Sequence, residues 1–326
     1  MVKMEANNPI ISRHLVECKA YQDKEVPVIV TSGESLTPYF INAEMLSGID
    51  PEFLNANGNE SVAIINEAIR LQGESSSFSE DIHTIALQVH NLFSTQSGIA
   101  VSGGQRRDWI FSGPVANMLV LPHVSLYKQE RWQPGKIEIV YPGNESVVLN
   151  PNDRIPFDQV VHVSDLLTTG SSAYHVDGPG FGLGFGFTAG WIPTLREKGA
   201  EVNDLVTVVT RLQGGEELLE GLKPRVHVHS FVAIDSDFLI RYSKQPSAVL
   251  DYNRDARRWT EEYLATNGIN VLIDYFNPGG SKLKRATAFL GNYRAFLSEK
   301  HLMPILEEQV KDRFGKTLKE IAESQN

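Results

Sequence analysis

The sequence FDQVVHVSDLLTTGSS occupies residues 157–172. Its first half is a short apolar run, typical of a buried parallel strand, and Asp165 lies near the carboxyl end of that run. Small hydroxyl residues and a glycine follow: Thr168, Thr169, Gly170, Ser171 and Ser172. Such residues permit a tight loop whose backbone N–H groups point at an anion. The stretch predicts a strand that leads into a phosphate-binding loop, and a capped helix N-terminus is the simpler alternative.

Strand and helix patterns alternate on both sides of this stretch. Strands are predicted at 26–33, 98–104, 123–128, 160–165, 205–211 and 225–234, and helices at 61–71, 81–94, 109–121 and 191–200. Strands that alternate with helices form a mostly parallel sheet that is covered by helices on both faces. The predicted fold class is therefore α/β.

The charge distribution divides the chain into two parts. The 326 residues carry a net charge of −10, which separates into −13 over residues 1–240 and +3 over residues 241–326. Beyond residue 240 the strand patterns largely disappear, and after Pro304 the apolar residues recur at helical spacing. We expect one α/β domain at 1–240 and a helical C-terminal extension at 241–326.

Composition excludes several classes of protein. An acidic body is a poor partner for nucleic acid, because affinity for phosphates needs clustered cations. No apolar run approaches the roughly 18 residues that a membrane-spanning helix requires. Cys18 is the single cysteine, and the first residues lack the apolar segment of a secretory signal. We expect a cytoplasmic protein that binds neither nucleic acid nor a membrane.

Four segments in order resemble type I phosphoribosyltransferases, and most of all the orotate phosphoribosyltransferase family. They are SGESLTPYFINAEML (32–46), LPHVSLYKQER (121–131), the stretch at 157–172, and REKGAEVNDLVTVVTRLQGG (196–215). The resemblance implies a small N-terminal hood at about 1–60. It implies transfer of ribose 5-phosphate from phosphoribosyl pyrophosphate (PRPP) to a pyrimidine-type base, with orotate as the leading candidate. It also implies Mg²⁺ as cofactor, release of pyrophosphate, and a homodimer.

The same resemblance assigns roles to individual residues. Asp165, Lys128 and Arg131 match catalytic positions, and Asp165 is also the candidate ligand of Mg²⁺. Phe40 and Arg211 match positions that bind the base. The residues that match PRPP-binding positions are Gly103, Gly104, Arg106, Arg107, Ser164, Thr168, Thr169, Gly170, Ser171 and Ser172.

Three positions depart from the family pattern. Thr31 replaces a lysine before Ser-Gly, Ser164 replaces an acidic residue, and Tyr127 replaces an arginine at the start of the catalytic loop. These departures motivate an alternative function, a regulatory protein that binds PRPP or a nucleotide without transferring it.

Two further features leave alternatives open. Residues 173–190 form an insertion in which glycines alternate with apolar residues, which suits either a lid or dimer contact or a packing hairpin away from the chemistry. His227 and His229 share one face of a predicted strand, as a metal-binding pair does, but a partly buried strand is the more common reason for this pattern.

Overall fold

A computed structural model describes residues 7–30, 32–93, 98–128, 135–176 and 188–323. Its strands are β1 (Tyr21–Ile29), β2 (Leu36–Ile41), β3 (Ile99–Gly104), β4 (His123–Leu126), β5 (Ile137–Val140), β6 (Ser146–Val148), β7 (Gln159–Leu167), β8 (His175–Val176), β9 (Thr188–Ala189), β10 (Asp204–Thr210) and β11 (His227–Ala233).

The α-helices are α1 (Pro9–Glu17), α2 (Pro51–Ala56), α3 (Ser61–Glu74), α4 (Ser76–Leu92), α5 (Arg107–Met118), α6 (Trp191–Glu197), α7 (Gly215–Glu220), α8 (Ser236–Tyr242), α9 (Pro246–Arg254), α10 (Ala256–Asn267), α11 (Asn270–Ile273), α12 (Leu283–Glu299), α13 (Leu302–Phe314) and α14 (Leu318–Glu323). Within the described ranges, no helix combines the length and the apolar character that crossing a membrane requires.

The chain separates into two units. The sheet unit comprises Met1–Ala20 and Asn42–Phe238, and the helical unit comprises Tyr21–Ile41 and Leu239–Asn326. The second boundary lies close to the predicted one at residue 240. Hairpin β1–β2, which lies within the predicted hood at about 1–60, is part of the helical unit, and the predicted domains and hood stay predictions.

The main sheet of the sheet unit has the strand order β11-β10-β7-β3-β4-β5-β6. The strands from β11 to β4 pair in parallel, and β5 and β6 add an antiparallel edge. In chain order the parallel strands follow the doubly wound pattern 2-1-3-4-5, in which the order reverses between the first and third strands. Here these strands are β3 and β7, and ligands of such sheets bind beyond the carboxyl ends at that point.

Helices cover both faces of this sheet. A side chain at Gly103 would meet Asp108 and Ser112 of α5, whereas one at the next residue, Gly104, would meet Trp191 of α6. Because consecutive strand residues point to opposite faces, α5 and α6 lie on opposite sides of β3. The predicted α/β class, with a mostly parallel sheet between helices, is confirmed.

The helical unit has its own apolar core. It includes Ile29 and Leu36 of the hairpin together with Leu264, Phe289 and Leu306 of the C-terminal helices. The hairpin is also hydrogen-bonded to those helices, since the Leu36 amide donates to Thr260 Oγ1 at 3.1 Å and the Tyr293 hydroxyl donates to the carbonyl of Glu34 at 2.8 Å. The apolar stripe predicted after Pro304 is buried at Leu306 and Val310.

Candidate active site

Two glycines end β3 because neighbouring side chains leave no space for a Cβ atom. At Gly103 that atom would collide with Ser112, and at Gly104 it would collide with the Trp191 ring. The turn is also fixed by hydrogen bonds, since Trp109 Nε1 donates to the carbonyl of Gly103 at 2.9 Å. The predicted Gly-Gly turn therefore lies at the carboxyl edge of the sheet with its backbone closely packed.

Asp165 lies near the carboxyl end of β7, across from this turn, and is 8% exposed. Its amide donates to Asp108 Oδ1 at 2.9 Å. Asp108, in the first turn of α5, is also 8% exposed, and its Oδ2 accepts the amide of Gly104 at 2.9 Å. Two carboxylates from different elements thus meet at the point where the strand order reverses.

The electrostatics of this pair favour protonation. Burial and the neighbouring Asp165 carboxylate raise the pKa of Asp108 well above its ordinary value. Burial also raises the pKa of Asp165, although the Arg107 guanidinium opposes the change, while Glu44 adds to it. The crevice holds more carboxylates than nearby cations, which suits a positively charged ligand or a set of ligand hydroxyl groups.

The two arginines after the glycine turn have different surroundings. Arg106 donates to the carbonyl of Leu54 at 2.6 Å and to Asn55 Oδ1 at 2.9 Å, so its guanidinium caps the carboxyl end of α2. Arg107 forms an ion pair with Glu44 at 3.2 Å, and its side chain is 49% exposed. Arg107 is therefore the arginine of the two that acts on the Asp165 carboxylate.

The loop after β7 is held by its carbonyl groups. The carbonyl of Thr168 accepts the Gly215 amide at 3.0 Å, and that of Ser172 accepts the Trp191 amide at 3.1 Å. Gly170 adopts a φ of +79° and packs against Gly215, which favours glycine at this turn. The exposed residues of the loop are Thr169, Ser171 and Ser172, and Thr168 is half-buried.

Ser164 lies apart from that loop. It is 7% exposed, and its hydroxyl donates to Thr207 Oγ1 of β10 at 3.2 Å. The side chain therefore lies between β7 and β10, and its role in PRPP binding stays a prediction.

The predicted base-binding residues fall in different units. Arg211 follows β10 in the sheet unit, is half-buried, and donates its amide to the carbonyl of Leu167 at 2.9 Å. Phe40 lies on β2 in the helical unit and is 37% exposed, with Lys24 Nζ at 5.5 Å from its ring centroid. Each role remains a prediction.

Lys128 follows β4 at the start of the segment predicted to be the catalytic loop. Its side chain is exposed, and its amide donates to Gln105 Oε1 at 2.8 Å. Because Gln105 follows the glycine turn, this bond joins the start of the segment to the turn. Arg131, Thr31 and residues 177–187 of the insertion lie outside the described residues. The ends of the insertion pair as the antiparallel strands β8 and β9.

A network missed by the sequence analysis surrounds Glu138 of β5. Its carboxylate accepts the Tyr127 hydroxyl at 2.5 Å, Lys136 Nζ at 3.1 Å and the Ser61 hydroxyl at 3.0 Å. Tyr127 and Lys136, which precede and follow residues 128–135 in the sequence, therefore bind the same carboxylate. The sequence feature that could have indicated this network is a single charged residue, Glu138, within the apolar run Ile-Glu-Ile-Val.

A pocket of about 250 Å³ lies beside this network. Its lining includes two lysines and two aromatic residues together with hydroxyl groups: Tyr127, Lys128, Lys136, Ser172, Trp191 and Thr194. Cations and hydroxyls around a small volume suit an anionic ligand.

The histidine pair on β11 has a structural role at one member. His229 Nε2 lies 2.8 Å from Asp204 Oδ1, and its Nδ1 lies 3.3 Å from Gln88 Nε2. In the part of the chain that the structure describes, no three histidine, cysteine or acidic side chains are grouped as metal ligands. His227 and His229 both lie on β11 and are half-buried, and the two interpretations of the pair stay predictions.

Comparisons with known proteins find similar structures only. No protein-family model and no curated protein matches the chain. Orotate phosphoribosyltransferase from Aeropyrum pernix is similar at 17% identity with a TM-score of 0.43, over 71% of this chain and 97% of that one. UMP synthase from Leishmania donovani is similar at 14% identity with a TM-score of 0.42, over 74% of this chain and 41% of that one.

Orotate phosphoribosyltransferase from Francisella tularensis is similar at 10% identity with a TM-score of 0.37, over 78% of this chain and 96% of that one. Two of these three structures are orotate phosphoribosyltransferases by name. At identities and TM-scores this low, the function must be inferred from the residues of the chain itself.

Proposed function

We propose that the protein is a phosphoribosyltransferase that moves ribose 5-phosphate from PRPP to a pyrimidine-type base, with orotate as the leading candidate. The observation that carries the proposal is the position of three elements at the reversal point of the sheet. They are the Gly103-Gly104 turn, the buried Asp165, and the hydroxyl-bearing loop at 168–172. In this order, the three elements would bind the pyrophosphate, the ribose and the 5-phosphate of PRPP.

In this proposal each element has one task. The loop hydroxyls of Thr169, Ser171 and Ser172 bind the 5-phosphate, and Asp165 accepts hydrogen bonds from the ribose hydroxyls. Arg107 and Lys128 offset the charge that grows on the departing pyrophosphate. The bond from ribose C1 to the pyrophosphate oxygen breaks, and that oxygen keeps the electron pair. A ring nitrogen of the base forms the new bond to C1, and its proton passes to solvent water.

We also propose that Mg²⁺ accompanies PRPP. Asp165 suits this cation, because its buried carboxylate lies beside Asp108 and Glu44 with Arg107 as the opposing charge. Both oxygens of Asp108 already accept amides, so most ligands would come from substrate phosphates and water, as is common for Mg²⁺. When bound, the ion neutralises negative charge on the pyrophosphate group.

The test is pyrophosphate release from PRPP and Mg²⁺ with a panel of bases that includes orotate, uracil and adenine. We expect release that depends on one base and that falls about 100-fold in Asp165→Asn. Asp237→Asn is the matched control, since Asp237 is exposed on α8 of the same unit. Absence of base-dependent release across the panel contradicts the transfer reaction.

A regulatory protein that binds PRPP without transfer is the second candidate. The observation in its favour is Ser164, which occupies the position of a family carboxylate and directs its hydroxyl to Thr207. Calorimetry that detects PRPP binding, together with no turnover of any base, would support this function over the enzyme.

A homodimer also belongs to the proposal. Edge strand β6 supports it, because Val147 and Val148 are 47% and 51% exposed. Sedimentation analysis that gives the mass of one chain at all concentrations would contradict it.

A further inference from the structure

The pairing of β3 with β7 stops before the candidate site begins. The last paired residues are Ser102 and His162. Beyond them β3 continues to pair with β4 as far as Gly104 and Leu126, while β7 continues to pair with β10 as far as Leu167 and Thr210. The sheet therefore opens into a crevice whose two walls no longer share ladder hydrogen bonds.

One side chain crosses this opening. Asp108 accepts the amide of Gly104 from one wall through Oδ2, and it accepts the amide of Asp165 from the other wall through Oδ1, both at 2.9 Å. These are charge-assisted hydrogen bonds to a buried carboxylate, which are among the stronger kinds. Asp108 thus replaces the ladder bonds that the diverging strands have lost.

The position of the carboxylate is itself fixed from below. The carbonyl of Asp108 accepts the Ser112 hydroxyl at 2.8 Å, and the same hydroxyl contacts His123 Nε2 at 2.8 Å. Nε2 of the buried His162 lies 3.7 Å from Asp108 Oδ2, and its Nδ1 lies 2.9 Å from the Ser102 hydroxyl. The Ser112 bonds hold the first turn of α5 at the base of the crevice, and the His162 ring packs beside the carboxylate without a hydrogen bond to it.

We infer that Asp108 is a positioning residue that sets the separation between the Gly104 turn and the Asp165 loop. The inference deepens the proposed function and rests on it for the ligand, because PRPP would place its pyrophosphate on the first wall and its 5-phosphate on the second. A ligand that spans both walls depends on their separation. A ligand that contacts one wall does not.

Calorimetry with three probes separates these cases. PRPP spans both walls, whereas inorganic pyrophosphate and ribose 5-phosphate each contact one. In Asp108→Asn, one acceptor oxygen becomes an N–H donor that faces an amide, so the bridge is broken at one end. We expect PRPP affinity to fall about 30-fold and the affinity for either part to change less than about threefold. An equal loss for all three probes would overturn the inference.

Hydrogen exchange tests the bridge without any ligand. In Asp108→Asn we expect peptides that cover 103–106 and 163–167 to exchange about tenfold faster, and both together. Asp81→Asn is the matched control, because Asp81 is fully buried in the same unit and contacts His14 instead. Faster exchange in one of the two peptides alone, or an equal change in the control, contradicts the bridge.

Two outcomes need a second measurement. If Asp108→Asn does not fold, we use Asp108→Ser instead, because its short hydroxyl cannot reach both amides. The same calorimetry and hydrogen-exchange results are then expected, and the same outcomes would overturn the inference. If the wild-type protein binds none of the three probes, the proposed function fails, and the exchange experiment alone then confirms or overturns the bridge.

Discussion

Two buried carboxylates of the sheet unit, Glu138 on β5 and Asp108 at the start of α5, have opposite environments. Glu138, on the antiparallel edge, accepts hydrogen bonds from a tyrosine, a lysine and a serine, and a fourth from the Ser146 hydroxyl at 3.1 Å. Asp108, at the reversal point, accepts two amides but faces a second carboxylate at Asp165. One carboxylate is surrounded by donors, and the other is placed against a like charge.

The directions of the pKa shifts express this difference. Burial alone would raise the pKa of Glu138, but hydrogen bonds from Tyr127, Lys136 and Ser61 outweigh it and lower the pKa. At Asp108 and Asp165 burial prevails, and both pKa values are raised. Raised carboxylate pKa values in a crevice are a common feature of functional sites, which agrees with the role proposed above for this crevice.

The largest effect is expected from Asp165→Asn. The substitution removes the acceptor proposed for the ribose hydroxyls, so turnover should fall about 100-fold. It also removes a like charge beside Asp108, so the free energy of unfolding should rise by about 1 kcal/mol. Base-dependent pyrophosphate release and urea unfolding measure the two quantities. If the variant is inactive and also less stable than the wild type, the Asp165 charge does not destabilise the fold as described.

Glu138→Gln should have the next largest effect. The amide retains one acceptor but loses the charge that pairs with Lys136, and it turns an N–H toward groups that donate. We expect the free energy of unfolding to fall by about 2 kcal/mol. Urea unfolding measures the change, and Glu145→Gln, an exposed residue of the neighbouring β5–β6 turn, is the control. An unchanged midpoint would show that the network adds nothing to stability.

The two arginines of the glycine turn offer a finer test. Arg107→Ala should lower pyrophosphate affinity about tenfold, because it removes a cation whose charge acts on Asp165 in the crevice. Arg106→Ala should leave that affinity unchanged, because its guanidinium binds the end of α2. Calorimetry with pyrophosphate measures both. Equal losses in the two variants would place Arg106 in the site as well.

The smallest expected effect is a pair of opposite pH trends. Asp108 and Asp165 have raised pKa values in the folded protein, so they lower the free energy of unfolding only when they are ionised. This destabilisation is absent below the unfolded pKa near 3.8 and grows as pH rises through their pKa values in the folded protein. The lowered pKa of Glu138 means that its stabilisation is present above 4.5 and is lost as pH falls through the folded value.

Thermal unfolding from pH 3 to pH 7 checks both signs. The midpoint of Asp165→Asn, relative to the wild type, should rise with pH. That of Glu138→Gln should fall with pH. Parallel trends in the two variants would mean that the two environments do not differ as described.

The sequence was sufficient for features that depend on neighbouring residues. β7 and its loop were predictable because an apolar run, an aspartate and a Thr-Thr-Gly turn lie within one short segment. The alternation of strands and helices predicted the parallel sheet for the same reason. Ser164 was assigned by position in a motif, and only the packing of β7 against β10 shows that its hydroxyl meets Thr207.

Features that depend on distant residues were not predictable. Asp108 lies 57 residues from the amide that it accepts at Asp165, and an acidic residue in the first turn of a helix is usually explained by the helix dipole alone. Arg106 and Arg107 are identical in type and adjacent, so only the position of α2 distinguishes them. The grouping of hairpin β1–β2 with the C-terminal helices depends on contacts such as that between Tyr293 and Glu34, which are 259 residues apart.

The divergence of the sheet at Ser102 and His162 also has a consequence for how the chain is divided. One wall of the crevice comes from residues before the exposed segment 151–154, and the other wall comes from residues after it. A break in that segment would yield two fragments with one wall each. Ligand binding would then require both fragments to associate. Cleavage at this segment would therefore give a pair of fragments whose reassembly can be followed by ligand binding.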